Sequence, residues 1–310
     1  MSFRILVSLD GTPQAERALR YAEVLVRTAG GQLQLFRASV GGGPPDYIER
    51  ALDSIARRLR ETGVPTEWSV VEGEAVPAIL DAARSSQPDF IAMATTRSSG
   101  LDRWLNDGVA VAIVRSAEVP VLVIPPDREH PSARKPLMRI MVPLDGSAIA
   151  EEALGPATKL ARSLQADLIL LRVIEEDNPG GRVHAQQAER YIQKMLDGVR
   201  AALPRRQVIS HVTTGSPTIA IAQAAVDLGA DLIAMSTHGR GGLARAVLGS
   251  TATATLERSI VPLLLVGPAA VTASLSVSEK IATPSLSGPS RKFRGRSSNL
   301  DKRGIWLAEQ

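Results

Sequence analysis

Between Asp231 and Ser259 the chain runs DLIAMSTHGRGGLARAVLGSTATATLERS. The apolar run Leu232–Met235 suits a strand buried on both faces. It breaks into Ser236-Thr237-His238-Gly239-Arg240-Gly241-Gly242, dense in glycine and hydroxyls. From Gly249-Ser250 the pattern turns helical, with Ser250 or Thr251 expected as N-cap and Ala252, Ala254 and Leu256 as helix formers. A parallel strand ending in a glycine loop, with a second glycine–hydroxyl pair opening a helix, is chemistry for an anion. Glycines let backbone N–H groups approach and turn inward, and a helix start adds unpaired donors and the positive end of a dipole. The plain alternative is a structural turn that holds no ligand.

A second candidate is Asp145, which ends the strand Ile140–Leu144 and turns straight into a helix at Gly146-Ser147. Its structural alternative is a loop acceptor for nearby backbone N–H groups. His238 sits within the glycine loop as a phosphate donor or a solvent-facing turn residue, and Arg240 and Arg245 add positive charge there or occupy an exposed face. His130, His184 and His211 are scattered, with no second ligand at metal spacing. Catalysis finds little support. The chain has no G-x-x-x-x-G-K-[ST] loop to carry a lysine to terminal phosphates, and no serine in a nucleophile-elbow context.

The elements that position these residues occur twice. Arg4-Ile-Leu-Val-Ser-Leu-Asp10-Gly11-Thr12 repeats as Arg139-Ile-Met-Val-Pro-Leu-Asp145-Gly146-Ser147, at an offset of 135. Gly73/Gly215, Met93/Met235 and Val119-Pro120/Val261-Pro262 repeat at an offset of 142. One step in the offset marks a duplicated domain with about seven residues gained in the second copy, not a solenoid. Strands are expected near 5–9, 32–37, 66–71, 90–95 and 119–124, and again near 140–144, 167–173, 207–212, 231–236 and 261–266. Between them lie amphipathic helices, the first over 13–29 with Thr12 as N-cap and Pro13 at its first position. This alternation predicts an α/β fold with a parallel sheet covered on both faces.

The spacing Ser236, two residues, Gly239, nine residues, Gly249-Ser250 resembles the G-x2-G-x9-G-[S/T] nucleotide loop of the universal stress protein family, with serine in place of the first glycine. Both halves are similar to that family over roughly residues 3–126 and 138–267. The resemblance implies two tandem flavodoxin-like domains, each a five-stranded parallel sheet of order 3-2-1-4-5 with helices on both faces. It divides the chain into a degenerate domain at 1–127, a linker at 128–136, a nucleotide-loop domain at 137–267 and a basic tail at 268–310. It implies ATP, with Mg²⁺ where the nucleotide brings one to Asp145. Pro143, Leu144, Asp145 and Val173 would hold the nucleoside. Ser236, His238, Gly239, Arg240, Gly242, Gly249, Ser250 and Thr251 would line the phosphates. In the first copy Arg97 stands at the place of Gly239, and Asp107-Gly108 at that of Gly249-Ser250, so the cradle is missing there. One nucleotide per chain is the expectation. The fifth strands, apolar and last in each domain, are expected as edges that pair with each other, as an intramolecular pseudo-dimer or between two chains. Three readings follow: an ATP-dependent stress or signalling protein, a slow ATPase or other nucleotide-dependent enzyme, and a ligand-free interaction scaffold.

Composition bounds these readings. The chain has 310 residues, 44% apolar and 22% charged, enough for two ordinary cores. Aromatics are 3%, which argues against base-stacking nucleic-acid surfaces. Cysteine is absent, which excludes disulfides and thiolate chemistry, and no apolar run approaches a membrane span; a cytoplasmic protein is expected. Residues 268–310 hold seven Lys/Arg against three acids, which is the whole of the net charge of +4. That segment, rich in Ser, Thr, Pro and Gly, is expected to be disordered, as a solubilising tail or as a docking segment for an anionic partner.

Overall fold

The computed structural model describes residues 3–39, 45–95, 108–125, 136–175, 181–237 and 248–273. The repeat becomes two β/α units. The first contains β1 (Phe3–Ser8), α1 (Ala15–Ala29), β2 (Gly31–Ser39), α2 (Pro45–Glu61), β3 (Thr66–Glu72), α3 (Ala75–Ser86), β4 (Phe90–Ala94), α4 (Val109–Ser116) and β5 (Val121–Ile124). The second contains β6 (Arg139–Pro143), α5 (Ala148–Glu151), α6 (Leu154–Leu164), β7 (Asp167–Ile174), α7 (Gly181–Ala202), β8 (Val208–Thr214), α8 (Pro217–Asp227), β9 (Leu232–Ser236), α9 (Ser250–Arg258) and β10 (Leu263–Val266). The strands form a single ten-stranded sheet of order β3-β2-β1-β4-β5-β10-β9-β6-β7-β8. Each half therefore has the order 3-2-1-4-5, parallel throughout.

The fifth strands meet at the centre, antiparallel, with Leu263 opposite Val123, Leu264 opposite Leu122 and Leu265 opposite Val121. The pairing lies within one chain. All eight residues of the two strands are buried, which their uninterrupted apolar sequence demands. Closure also uses Gly267, where a Cβ would overlap the Val114 carbonyl oxygen at the end of α4. Two apolar layers run unbroken across both halves. One packs α1, α2, α6 and α7 on one face of the sheet, and the other packs α3, α4, α8 and α9 on the opposite face. The true edges are β3 and β8. Each has an arginine laid over its first carbonyl, Arg60 on Thr66 at 3.2 Å and Arg200 on Val208 at 3.3 Å, which blunts an edge that would otherwise recruit another strand.

Paired aspartates fasten the strand starts. Asp231 Oδ2, 3% exposed as a residue, accepts the N–H groups of Met138 and Arg139 at 2.9 and 3.1 Å. Asp89 Oδ2 accepts that of Arg4 at 2.7 Å in the first copy. Hydrogen bonds to a charged group are worth about 1.5–3 kcal/mol each. Asp231→Ala, which orphans two donors, is expected to cost about 3 kcal/mol, read as a shift of the urea midpoint at unchanged slope. A loss below about 1 kcal/mol would show that water satisfies those donors.

Three expectations need correction. The helix after Asp10 begins at Ala15, not at Pro13; Thr12 still accepts the Ala15 N–H at 3.2 Å, so its hydroxyl closes the turn from outside the helix. The N-cap of α9 is Gly249, and Ser250 is already helical. The segment assigned to the tail begins too early. Residues 268–273 are helical, Ala270 is 2% exposed and Val271 packs on the core; the rest of the tail, and most of the linker 128–136, lie outside the described residues. A chain ending at residue 273 is expected to melt with the full-length protein. One ending at 267 is expected to lose about 1–3 kcal/mol, the burial of one small and one branched apolar side chain plus a helical turn. Equal melting of all three would remove residues 268–273 from the fold.

Candidate functional site

In each half the strand order reverses beside the first strand, so the loops leaving β6 and β9 part around a crevice at their carboxyl ends. The register pairs Ile140 with Leu232 and Met141 with Ile233. Continued along both strands, it sets Leu144 beside Ser236 and Asp145 beside Thr237. Pro143 closes β6 opposite Leu171, and Leu144 donates its N–H to the Leu171 carbonyl at 2.8 Å. Arg172, on β7, donates from Nη1 to the Leu144 carbonyl at 3.0 Å. The backbone leading into Asp145 is thus fixed on both its polar groups.

Asp145 Oδ1 accepts from the Ser147 N–H at 2.8 Å and from its hydroxyl at 2.6 Å, across Gly146 at φ 86°. Ser147 in turn caps α5 by accepting the Ala150 N–H at 3.2 Å. The first copy has the same turn: Asp10 with Thr12 at 2.8 and 2.6 Å, across Gly11 at φ 85°. The loop-acceptor role of this oxygen is therefore common to both halves.

The other wall is built from β9 and α9. Ser236 and Thr237 are 8% and 1% exposed, and the Thr237 N–H donates to Val266 at 3.1 Å. The Gly249 N–H donates to the Thr237 carbonyl at 2.8 Å. This bond holds the start of α9 against the end of β9. Gly249 carries no side chain to cap α9, and the first-turn N–H groups from Ser250 and Thr251 onward have no acceptor within the helix. His238, Gly239, Arg240 and Gly242 fall in 238–247, outside the described residues, as do Arg97 and Asp107. Val173, near the end of β7 and opposite Thr213, is on the strand flanking the crevice.

A family model described as the universal stress protein family matches residues 1–125 and again 136–267. The chain belongs to the universal stress protein family. A universal stress protein of Mycolicibacterium smegmatis is 25% identical over 228 residues, 71% of this chain and 76% of its own. The crystal structure of a universal stress protein from Archaeoglobus fulgidus has a TM-score of 0.66 at 20% identity, covering 85% of this chain and 98% of that one. A further match, at 23% identity and a TM-score of 0.35, covers 43% of this chain and 98% of a universal stress protein crystallised in complex with cAMP.

Within this universal stress protein the structure adds residues that sequence reading missed. Arg172 was detectable, because Arg37 repeats it at the offset of 135; Arg37 lies so close to Gly11 that a Cβ there would collide with its guanidinium. Tyr191 on α7 donates to Glu151 Oε1 at 2.9 Å. Burial, and then the carboxylate accepting its hydrogen bond, hold this phenol well above the usual tyrosine range. The two bonded residues are 40 positions apart, and no local pattern announces such a contact. Among the described residues no three acidic or histidine side chains gather as a metal site, and no helix is long and apolar enough to cross a membrane.

The α4/α9 pair preserves the offset of 142 in its burial. Ala110, Val111, Ile113 and Val114 are buried in one helix and Ala252, Thr253, Thr255 and Leu256 in the other. On that register Gly249 corresponds to Asp107.

Proposed function

We propose that this universal stress protein is a nucleotide-dependent stress or signalling protein that binds one ATP per chain, in its second domain. The observation that carries the reading is the Gly249 N–H to Thr237 carbonyl bond. It brings the uncapped start of α9 to the mouth of β9, beside the Asp145 turn. In this reading Asp145 and the backbone near Val173 face the nucleoside, and Gly249, Ser250 and the loop 238–247 face the phosphates. The helix start fits a polyanion, since its donors and its dipole both favour one. Any Mg²⁺ would arrive with the phosphates and meet Asp145, whose Oδ1 accepts from Ser147. The first domain contributes half of the sheet and no nucleotide.

Calorimetric titration of the full chain with ATP tests this directly. A stoichiometry of one supports the reading. Two equal sites would overturn the assignment to the second domain, and no heat with no nucleotide released on denaturation would leave a scaffold. Release of ADP alone after incubation with ATP would favour the slow ATPase.

A further inference from the structure

The helix after the Asp145 turn differs from its counterpart. In the first copy α1 is one helix of 15 residues. In the second the matching stretch, 150–164 at the offset of 135, is divided: the four-residue α5 starts two residues ahead of it at Ala148, Glu152 and Ala153 form a turn, and the eleven-residue α6 follows. The cause is Pro156. It has no N–H to offer the Glu152 carbonyl, and its ring crowds that carbonyl four residues back. Tyr21, 2% exposed and fully helical, holds the matching place in α1. At the break the Glu152 and Ala153 N–H groups reach only three residues back, to the Ile149 and Ala150 carbonyls, each at 3.3 Å. The first copy makes the first of these bonds as well, Arg17 to Gln14 at 3.0 Å, but α1 then runs on unbroken.

This short segment is tied at both ends. At its start Ser147 bonds Asp145 Oδ1 and caps Ala150. At its last residue Glu151 accepts the Tyr191 hydroxyl of α7. A second tie runs through Arg172, which holds the Leu144 carbonyl from β7, the strand that precedes α7. The first copy keeps the aspartate turn and Glu16 at the place of Glu151, but α2 holds no buried tyrosine; its one tyrosine, Tyr47, is 68% exposed.

From this juxtaposition we infer that α5 is a hinged relay, coupling occupancy at Asp145 to the order of α7 through Glu151 and Tyr191. The inference rests on the nucleotide reading of the site, and it assigns the regulated element. A ligand that engages the Asp145 turn re-aims Ser147. The cap moves with it, and Pro156 lets α5 rock without carrying α6. The Glu151 carboxylate then tightens or loosens its hold on α7. Tyr191 is a positioning residue that touches no ligand, and α7 is the element whose order reports the nucleotide.

Amide hydrogen exchange of the full chain with and without saturating ATP, in wild type and in Tyr191→Phe, tests this. In wild type, ATP is expected to change exchange in α7 by about tenfold or more, the scale of a hydrogen bond to a charged group acting on local opening. Tyr191→Phe is expected to bind ATP within a few-fold of wild type while losing the response in α7. Pro156→Ala, which restores a continuous helix, should lose it as well, and melting of both variants verifies folding. If wild type binds ATP and α7 exchanges alike with and without it, or if both variants keep the response, the relay is overturned and the binding site stands. If wild type binds no ATP, the site reading fails and the relay falls with it.

Discussion

Leu264→Lys is expected to abolish the cooperative fold, or to lower its stability by about 4–5 kcal/mol or more, against the 5–15 kcal/mol typical of a whole domain. Leu264 is 1% exposed and stands between β9 and β5 at the centre of the ten-stranded sheet, opposite Leu122. Truncating such a leucine alone costs about 2–5 kcal/mol. Lysine adds an ammonium that must be buried unpaired or deprotonated. Both apolar layers span the junction, so damage there reaches both halves. Leu264→Val, which keeps the pairing and loses one methylene, should cost about 1 kcal/mol and serves as the reference. Urea unfolding followed by circular dichroism decides between them. A lysine variant with a midpoint close to that of the valine variant would mean that the junction opens to water at little cost.

Gly249→Asp is expected to remove ATP binding without harming the fold. Gly249 has φ −56° and ψ 145°, a conformation open to any residue, and it is the N-cap of α9. Aspartate is among the best N-caps, so helix stability should hold or rise by a few tenths of a kcal/mol. The same carboxylate would occupy the first-turn donors and meet the phosphates at close range. Like charges about 4 Å apart repel by up to about 4 kcal/mol at an effective dielectric of 20, before screening. At 1.4 kcal/mol per decade this is a loss of about two to three orders of magnitude in affinity. The matching residue of the first copy, Asp107, is that same substitution already made. Calorimetry beside a thermal melt reads both effects. Undiminished binding at an unchanged melting temperature would take the phosphates away from Gly249.

The sheet was legible because its information is short-range and repeated. Each strand is a run of four to nine residues, mostly apolar away from the edges β3 and β8, and the two offsets locate all ten. The pairing of β5 with β10 followed from their composition, since two all-apolar last strands had to be covered. Helix starts were less legible. Glycine at an N-cap is preferred only modestly over its neighbours, so Ser250 and Thr251 outbid Gly249 on side-chain chemistry. The division of α5 from α6 was written in Pro156, but an apolar stripe running past a proline does not say whether the helix bends or stops. Asp145 was visible as a strand-ending carboxylate, and its partner Ser147 is two residues away. Arg172 reaches the Asp145 turn from β7, and Tyr191 reaches Glu151 behind it from α7; only folding brings either there.

The central pairing also sets a schedule for biosynthesis. Leu122 is paired with Ala92 of β4 on one side, but its other side waits for Leu264, 142 residues later. At about 5–20 residues per second, the first half waits about 7–28 s on the ribosome with one side of an apolar strand bare at its margin. The Gly267 contact with the Val114 carbonyl forms only when the second half docks. The antiparallel junction thus ties closure of the first half to the completion of the second.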